Sequence, residues 1–124
     1  MPLNTDGLDL WGTNILVENV KIRNYDDAVV PKPRGEGACT QDIIVRNASV
    51  TYGVGMSIGS VPPDTGCNCV RRVTFEDIDF TYPLKAIYIK TNPGDEGSGL
   101  IEDIVYDRIS MYNPIWWAVY IGPQ

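Results

Sequence analysis

The stretch Val17–Ile22, which reads Val-Glu-Asn-Val-Lys-Ile, decides the fold because its pattern occurs three more times along the chain. The pattern is a large apolar residue, any residue, an Asn, Asp or Arg, an apolar residue, any residue and a final apolar residue. Its copies begin at Val17, Val45, Phe75 and Tyr106, which are 28, 30 and 31 residues apart. Repeats of about this length are typical of solenoid proteins, in which successive coils stack on one another.

A second short apolar stretch follows each copy, beyond a turn that contains Asn, Gly or Pro. These second stretches are Ala28–Val30, Met56–Ile58, Ala86–Ile89 and Ala118–Ile121. β-Branched and aromatic residues fill both kinds of stretch, and helical periodicity is absent, so we interpret both as strands. The order of strand, turn, strand and loop predicts an all-β parallel β-helix of about four coils. The alternative is a sandwich of β-hairpins, but two-residue hairpin turns such as Asn-Gly are missing.

Stacking places residues that are one repeat apart about 4.8 Å from each other. The repeat therefore predicts three rows of side chains: Asn19, Asn47 and Asp77 in a polar ladder at a corner; Asp26, Val54 and Leu84; and Lys32, Ser60 and Lys90. The last two rows would flank the same set of second strands. We therefore expect the carboxylates around Asp26 to lie beside a basic row.

The pair Trp116-Trp117 precedes the last apolar stretch. We expect one of the two indole rings to lie in the core of the last coil. The alternative is that they stack on a sugar ring, since aromatic faces offer apolar contact area.

Two adjacent carboxylates, Asp26 and Asp27, stand at the start of the strand Ala28–Val30, and a third, Asp6, precedes them by 20 residues. Adjacent carboxylates repel each other, so stability alone gives little reason to place them there. Hydrolysis of a glycosidic bond does give a reason to place carboxylates together, because the reaction needs one protonated carboxyl group as acid and ionised ones to activate water. The alternative is an ordinary solvated turn, in which Asp is common.

The 124 residues form at most one domain, and a net charge of −6 argues against nucleic acid or an anionic membrane as a partner. No run of about 18 apolar residues is present, so no transmembrane helix is predicted. Histidine is absent, and the three cysteines, Cys39, Cys67 and Cys69, do not form a metal-binding pattern. We expect no metal and no cofactor. The sequence leaves two alternatives for the cysteines: they are free structural thiols, or one of them forms a disulfide with a partner elsewhere.

Four motifs in order resemble signatures of glycoside hydrolase family 28, the polygalacturonase or pectinase family. They are Asn4–Gly7, which reads Asn-Thr-Asp-Gly; the pair Asp26-Asp27; Gly53–Ser60, which reads Gly-Val-Gly-Met-Ser-Ile-Gly-Ser; and Tyr88–Lys90, which reads Tyr-Ile-Lys. The resemblance implies a right-handed, single-stranded parallel β-helix that hydrolyses pectic polysaccharides with inversion at the anomeric carbon.

The resemblance also implies roles for individual residues. Asp26 would be the general acid, while Asp6 and Asp27 would hold and activate the attacking water. Lys90 would bind a substrate carboxylate. The other residues that we expect to contact substrate are Asn4, Lys32, Val54 and Tyr88. Inversion would require the acid and base to be about 6.5–9.5 Å apart, so that water fits between them.

Two positions depart from the family pattern, because Val54 replaces a histidine and Tyr88 replaces an arginine. If Val54 stacks beside Leu84, the site gains an apolar wall. The sequence then predicts a preference for rhamnose-containing or methyl-esterified pectin over polygalacturonate. Two other functions remain as alternatives: a non-catalytic carbohydrate-binding β-helix and a purely structural solenoid.

Family members have more coils than this chain, so residues 1–124 are expected to be a partial β-helix domain with little activity alone. Its partners would be the remaining coils of the parent enzyme and a pectic polysaccharide of the galacturonan or rhamnogalacturonan type. No nucleic acid or membrane partner is expected. The resemblance implies a secreted, extracellular protein whose signal peptide lies outside these residues.

Overall fold

The computed structural model describes residues 2–35, 37–62, 68–94 and 98–124. Within these residues the regular elements are nine strands: β1 (Leu8–Leu10), β2 (Thr13–Asn24), β3 (Asp27–Pro31), β4 (Thr40–Tyr52), β5 (Gly55–Val61), β6 (Asn68–Thr81), β7 (Lys85–Thr91), β8 (Gly99–Tyr112) and β9 (Trp117–Pro123). In this part of the chain no helix is long and apolar enough to cross a membrane.

The strands form two parallel sheets, and the chain alternates between them. One sheet has the order β1-β3-β5-β7-β9 and the other β2-β4-β6-β8, so that each neighbour within a sheet is one turn of the chain away. Val17 pairs with Val45, Val45 with Phe75 and Phe75 with Tyr106, which is the alignment of the sequence repeat. The predicted parallel β-helix is therefore confirmed. The sequence missed only β1, which has three residues.

The polar third position of the repeat is explained by the backbone. Each long strand of the β2-β4-β6-β8 sheet contains two residues with φ between 50° and 59°: Asn14 and Asn19, Asp42 and Asn47, Arg72 and Asp77, and Asp103 and Arg108. This left-handed region is uncommon for residues other than glycine, and Asn and Asp adopt it most readily. The recurring Asn or Asp therefore bends the strand at a corner of the solenoid.

The apolar positions of the repeat form the core. In the two middle copies, the first, fourth and sixth residues are all at most 3% exposed: Val45, Ala48, Val50, Phe75, Ile78 and Phe80. The matching residues of the outer copies, such as Val17 and Ile109, are only partly buried. The middle copies are covered on both sides by neighbouring coils, which is why each coil needs the next one to bury its apolar residues.

A disulfide joins Cys39 to Cys69, 30 residues further along the chain. Thr40 pairs with Val70, so the two cysteines occupy the same position on adjacent coils. This corrects the expectation of free thiols or of a disulfide with a partner elsewhere. Cys67 lies outside the described residues.

Two further expectations need correction or refinement. Trp116 is 62% exposed and Trp117 50% exposed, so the expectation that one of them is in the core is wrong. The polar ladder is confirmed between Asn19 and Asn47, whose side chains are 2.5 Å apart, whereas Asp77 pairs with Arg108 of the following coil.

The row that begins at Asp26 differs from the prediction. The backbone N–H of Val54 donates to the carbonyl of Asp26, as expected for neighbours. On the next coil, however, Met56 pairs with Ile87, a spacing of 31 residues. This register places Lys85 beside Val54, while the N–H of Leu84 donates to Gly53. The predicted apolar wall of Val54 and Leu84 is therefore wrong, because one extra residue lies in this coil.

Candidate active site

The motifs that the sequence singled out meet in one open cavity of about 320 Å³. The cavity is lined by residues of several coils: Asn4, Asp6, Asp26, Asp27, Lys32, Ser60, Lys90, Asn92 and Gln124. The three carboxylates and two lysines predicted for the site are among them. Lys32, Ser60 and Lys90, which the sequence predicted to form one row, all line the same cavity, although the strand register shifts between them.

The turn that carries the two adjacent carboxylates is held by Asn24, which is 6% exposed. Its Nδ2 atom donates to the carbonyl oxygens of Thr5, Asp26 and Asp27 at 2.7–3.0 Å. The hydroxyl of Thr5 in turn accepts a hydrogen bond from the N–H of Tyr25 at 2.9 Å. One buried amide therefore ties the Asn4–Gly7 motif to the Asp26-Asp27 pair. The sequence identified Asn24 only as a turn residue.

Asp27 is 1% exposed and has two side-chain partners. The Ser57 hydroxyl donates to its Oδ1 atom, and Lys90 Nζ lies 2.6 Å from its Oδ2 atom. A buried carboxylate needs such partners, because removal from water strongly disfavours an unpaired charge. Lys90 is itself only 6% exposed, so the structure pairs it with Asp27. Ser57 was missed as a site residue, although it lies inside the Gly53–Ser60 motif.

Asp26 is held by backbone donors. Its Oδ1 atom accepts from the N–H of Asp27 at 2.8 Å, and its Oδ2 atom accepts from the N–H of Asn4 at 3.1 Å. Asp26 is less buried than Asp27 and lines the cavity. Asn4, which the sequence assigned to substrate, lines the cavity as well and also fixes this carboxylate.

Asp6 lies at the more open side of the site. Burial and the nearby negative charge of Asp26 raise its pKa, while Lys32, 3.6 Å away, acts in the opposite direction. Lys32 also contacts Asp9 at 2.7 Å. Burial lowers the pKa of Lys32, but its hydrogen bond with Asp9 and the surrounding carboxylates more than offset this and raise it overall. Asp9 was not predicted, because nothing in its local sequence distinguishes it.

One carboxylate oxygen each from Asp6, Asp26 and Asp27 lies within 4.8 Å of the others. This is shorter than the predicted separation of an inverting acid–base pair, so inversion rests on the resemblance alone. A water molecule with two hydrogen bonds of about 2.7–2.8 Å can bridge such oxygens. The three oxygens could also ligate a cation, but the ammonium groups of Lys32 and Lys90 already balance part of their charge.

The two positions that depart from the family pattern do not line this cavity. Tyr88 is 4% exposed, and its ring lies beneath two ammonium groups, with Lys85 Nζ 3.7 Å and Lys90 Nζ 5.0 Å from the ring centroid. Val54 directly precedes β5, one coil away from Lys85 at the start of β7. The sequence singled out Lys85 only as one of three lysines, with Lys32 and Lys90, near which an anionic polysaccharide is not repelled, and Lys85 does not line this cavity.

Comparisons of the amino-acid sequence with known proteins identify its relatives. The model of the family described as glycosyl hydrolases family 28 matches residues 2–122. A probable exopolygalacturonase C of Aspergillus terreus is 33% identical over 90% of this chain and 25% of its own length. The probable exopolygalacturonase C of Aspergillus niger is 32% identical over 90% of this chain and 24% of its own length.

A third relative carries a different name. The α-L-rhamnosidase rgxB of Aspergillus niger is 30% identical over 89% of this chain and 27% of its own length. The chain therefore spans about a quarter of the length of the curated relatives that it matches. No solved structure gave a significant match.

Proposed function

This chain belongs to glycosyl hydrolase family 28, and on that premise we propose that it carries the catalytic residues of an enzyme that hydrolyses glycosidic bonds in pectic polysaccharides. The observation that carries the proposal is the group of Asp6, Asp26 and Asp27, whose oxygens lie within 4.8 Å of one another in an open cavity. The relatives named as exopolygalacturonases support galacturonan as the substrate class, and the one named as a rhamnosidase supports a rhamnose-containing pectin.

In the proposed mechanism, Asp26 donates a proton to the leaving oxygen while Asp6 and Asp27 hold the attacking water. Asp26 suits this role because it faces the cavity and its orientation is fixed by the N–H groups of Asn4 and Asp27. Ser57 and Lys90 fix the orientation of Asp27 through their contacts with its two oxygens. The raised pKa of Asp6 means that this carboxyl also retains a proton more readily than usual. Mutants must therefore distinguish Asp26 from Asp6 as the proton donor.

The test uses the full-length protein that contains these residues. Release of reducing sugar is measured from polygalacturonate, methyl-esterified pectin and rhamnogalacturonan. Asp26→Asn is expected to lower kcat by about 10²–10⁴-fold with little change in KM, because proton transfer belongs to the transition state. Asp103→Asn is the matched control, since Asp103 is exposed on the other sheet and already has a backbone conformation that Asn adopts readily.

Three outcomes decide the assignment. A variant Asp26→Asn that keeps more than about a tenth of the kcat would remove Asp26 from the mechanism. If Asp6→Asn shows the larger loss of kcat instead, the proton donor is Asp6. If the unmodified protein cleaves no pectic polymer but still binds one, the alternative of a carbohydrate-binding β-helix replaces the proposal. Val54, Tyr88 and the pairing of Lys90 with Asp27 favour that alternative.

We also propose that the protein acts outside the cell. A polymeric substrate cannot reach an enzyme inside the cell, and disulfides such as Cys39–Cys69 persist mainly in oxidising compartments. The full-length protein should therefore be recovered from the culture medium with this disulfide formed. Recovery only from the cell interior, with both thiols free, would contradict this.

A further inference from the structure

Lys85, at the start of β7, lies over three aromatic rings beside the carboxylate cavity. Its Nζ atom is 3.7 Å from the ring centroid of Tyr88, 4.6 Å from that of Tyr120 and 5.9 Å from that of Trp117. The Tyr88 ring packs edge-on against Tyr120, and Tyr120 packs against Trp117. Rings from two neighbouring coils therefore hold one ammonium group in place, which is the arrangement of a cation–π contact.

The charge of this ammonium group is not balanced by a carboxylate. Of the lysines close to the cavity, Lys32 pairs with Asp6 and Asp9, and Lys90 pairs with Asp27. Among the described residues, Lys85 has no carboxylate within ion-pair distance. Burial and the positive charge of Lys90 lower its pKa, as expected for a cation that lacks an anionic partner.

The neighbours of Lys85 connect it to the catalytic group. Lys85 and Lys90 both lie over the ring of Tyr88, and Lys90 contacts Asp27 directly. Trp117, on the outer side, is half exposed and can offer its apolar face to a sugar ring. Lys85 therefore contacts an exposed ring on one side and, through Tyr88 and Lys90, is linked to Asp27 on the other.

We propose that Lys85 binds the carboxylate of a uronic acid unit next to the bond that is cleaved, and so makes the site selective for an unesterified galacturonan. The inference deepens the proposed function and rests on it for the location of the cleaved bond. Lys90 is neutralised by Asp27, so it is less suited to the role that the sequence gave it. With Lys85 rather than Leu84 beside Val54, this inference favours unesterified galacturonan over the methyl-esterified or rhamnose-containing substrates that the sequence predicted.

The experiment compares Lys85→Met with Lys85→Arg in the full-length protein. Met keeps a long unbranched chain over the rings and removes the charge, whereas Arg keeps the charge. Both kcat and KM are measured on polygalacturonate and on the same polymer after full methyl esterification. Lys85→Met should raise KM on polygalacturonate about tenfold or more, because a hydrogen bond to a charged group is lost. On the esterified polymer it should change KM by less than about twofold, since no carboxylate is present. Lys85→Arg should retain most of the affinity for polygalacturonate.

Lys21→Met is the matched control, because Lys21 is an exposed lysine on β2 in the other sheet and undergoes the same change of charge. It should leave KM on both polymers unchanged. An unchanged KM on polygalacturonate in Lys85→Met would overturn the inference. An equal rise on both polymers would do the same, because it would indicate a role in packing. Far-UV circular dichroism and thermal unfolding check that each variant is folded.

Failure of the proposed reaction is distinguishable from failure of this inference. If the unmodified protein cleaves no polymer, binding of trigalacturonate and of its methyl ester is measured by titration calorimetry. A tenfold loss of trigalacturonate affinity in Lys85→Met, with no loss in Lys21→Met, would still support a uronate site at Lys85. Absence of trigalacturonate binding, or equal binding by Lys85→Met, would refute it.

Discussion

Two regions of this solenoid stack charged side chains from coil to coil, but in opposite surroundings. At the cavity, Lys90 and Asp27 pair with their side chains only 8% and 1% exposed. On the β2-β4-β6-β8 sheet, Arg108 and Asp77 form an ion pair of equal length with their side chains 57% and 52% exposed. Both pairs have an N–O distance of 2.6 Å, but among the described residues Lys90 pairs with Asp27 alone, whereas Arg108 also contacts Glu76 and Asp107. Burial is the larger difference between them.

The difference shows what each region contributes. In the exposed pair, the hydrogen bond with Arg108 lowers the pKa of Asp77, but water solvates both groups whether or not they are paired. In the cavity, each group depends on the other, because neither can be left charged and alone away from water. The exposed pairs therefore align neighbouring coils while changing the free energy of folding little. The buried pair holds a carboxylate in a fixed place, which is what a catalytic site requires.

The sharpest test of this contrast is Lys90→Met, which removes the partner of a buried carboxylate. We expect the free energy of unfolding of the full-length protein to fall by about 3–5 kcal/mol. Urea unfolding at pH 7 gives this value. Lys90→Met combined with Asp27→Asn should recover part of the loss, because no unpaired carboxylate then remains. A single variant that loses less than about 1 kcal/mol would show that the pair is more hydrated than the structure indicates.

A second coil-to-coil link, the disulfide Cys39–Cys69, acts through the unfolded chain. It closes a loop between cysteines 30 residues apart, and its removal in Cys39→Ala/Cys69→Ala should lower stability by about 2–4 kcal/mol. Cys67 is left intact in this variant. The effect should be nearly independent of pH and salt, unlike that of either ion pair. A strong dependence on salt would show that the loss arises from changed electrostatics instead.

The sequence predicted the elements that repeat. The alignment of Val17, Val45, Phe75 and Tyr106 is the register of the long sheet, since apolar residues at fixed spacing can be buried in only one way. The carboxylate group could also be placed, because its motifs lie at the ends of strands that stack.

What could not be predicted depends on irregularities of single residues. One extra residue before β7 shifts the register, so that Lys85 instead of Leu84 lies beside Val54. Because the length of the repeat varies from coil to coil, the sequence alone does not predict this shift. The partners of Asp27 come from two other coils and depend on side-chain direction. The Cys39–Cys69 pairing, by contrast, follows the repeat, because these cysteines are 30 residues apart, as are Val45 and Phe75.

Breaking the exposed ion pair of Arg108 and Asp77 should change the free energy of unfolding much less than breaking the buried one. Arg108→Met removes the ion pairs of Arg108 with Asp77, Glu76 and Asp107. Because Arg108 and Asp77 are more than half exposed, the free energy of unfolding should change by less than about 1 kcal/mol. Urea unfolding at low salt and at 1 M salt measures it, and the small loss should vanish at high salt. A loss as large as that of Lys90→Met would remove burial as the explanation of the difference between the two regions.

The smallest effect on stability is expected at Asp6, where a substitution should increase stability instead of lowering it. Its pKa is raised above the ordinary value of 3.8 because burial and Asp26 disfavour its charged form. A carboxyl with a raised pKa stabilises the folded state at low pH, and this contribution is lost as the pH rises through the folded-state pKa. Above that pH, the folded protein carries a carboxylate that would be better solvated in the unfolded chain.

Asp6→Asn should therefore make the protein more stable than the unmodified one at pH 7, by less than about 1 kcal/mol because the side chain is still partly exposed to water. The gain should shrink as the pH falls through the raised folded-state pKa of Asp6, and it should be lost below the ordinary value of 3.8, where Asp6 is protonated in both the folded and the unfolded chain. Thermal unfolding of both proteins across pH 3–7 measures the difference. A gain that does not depend on pH would assign the effect to packing. A loss at pH 7 would show that the attraction to Lys32 outweighs the repulsion from Asp26.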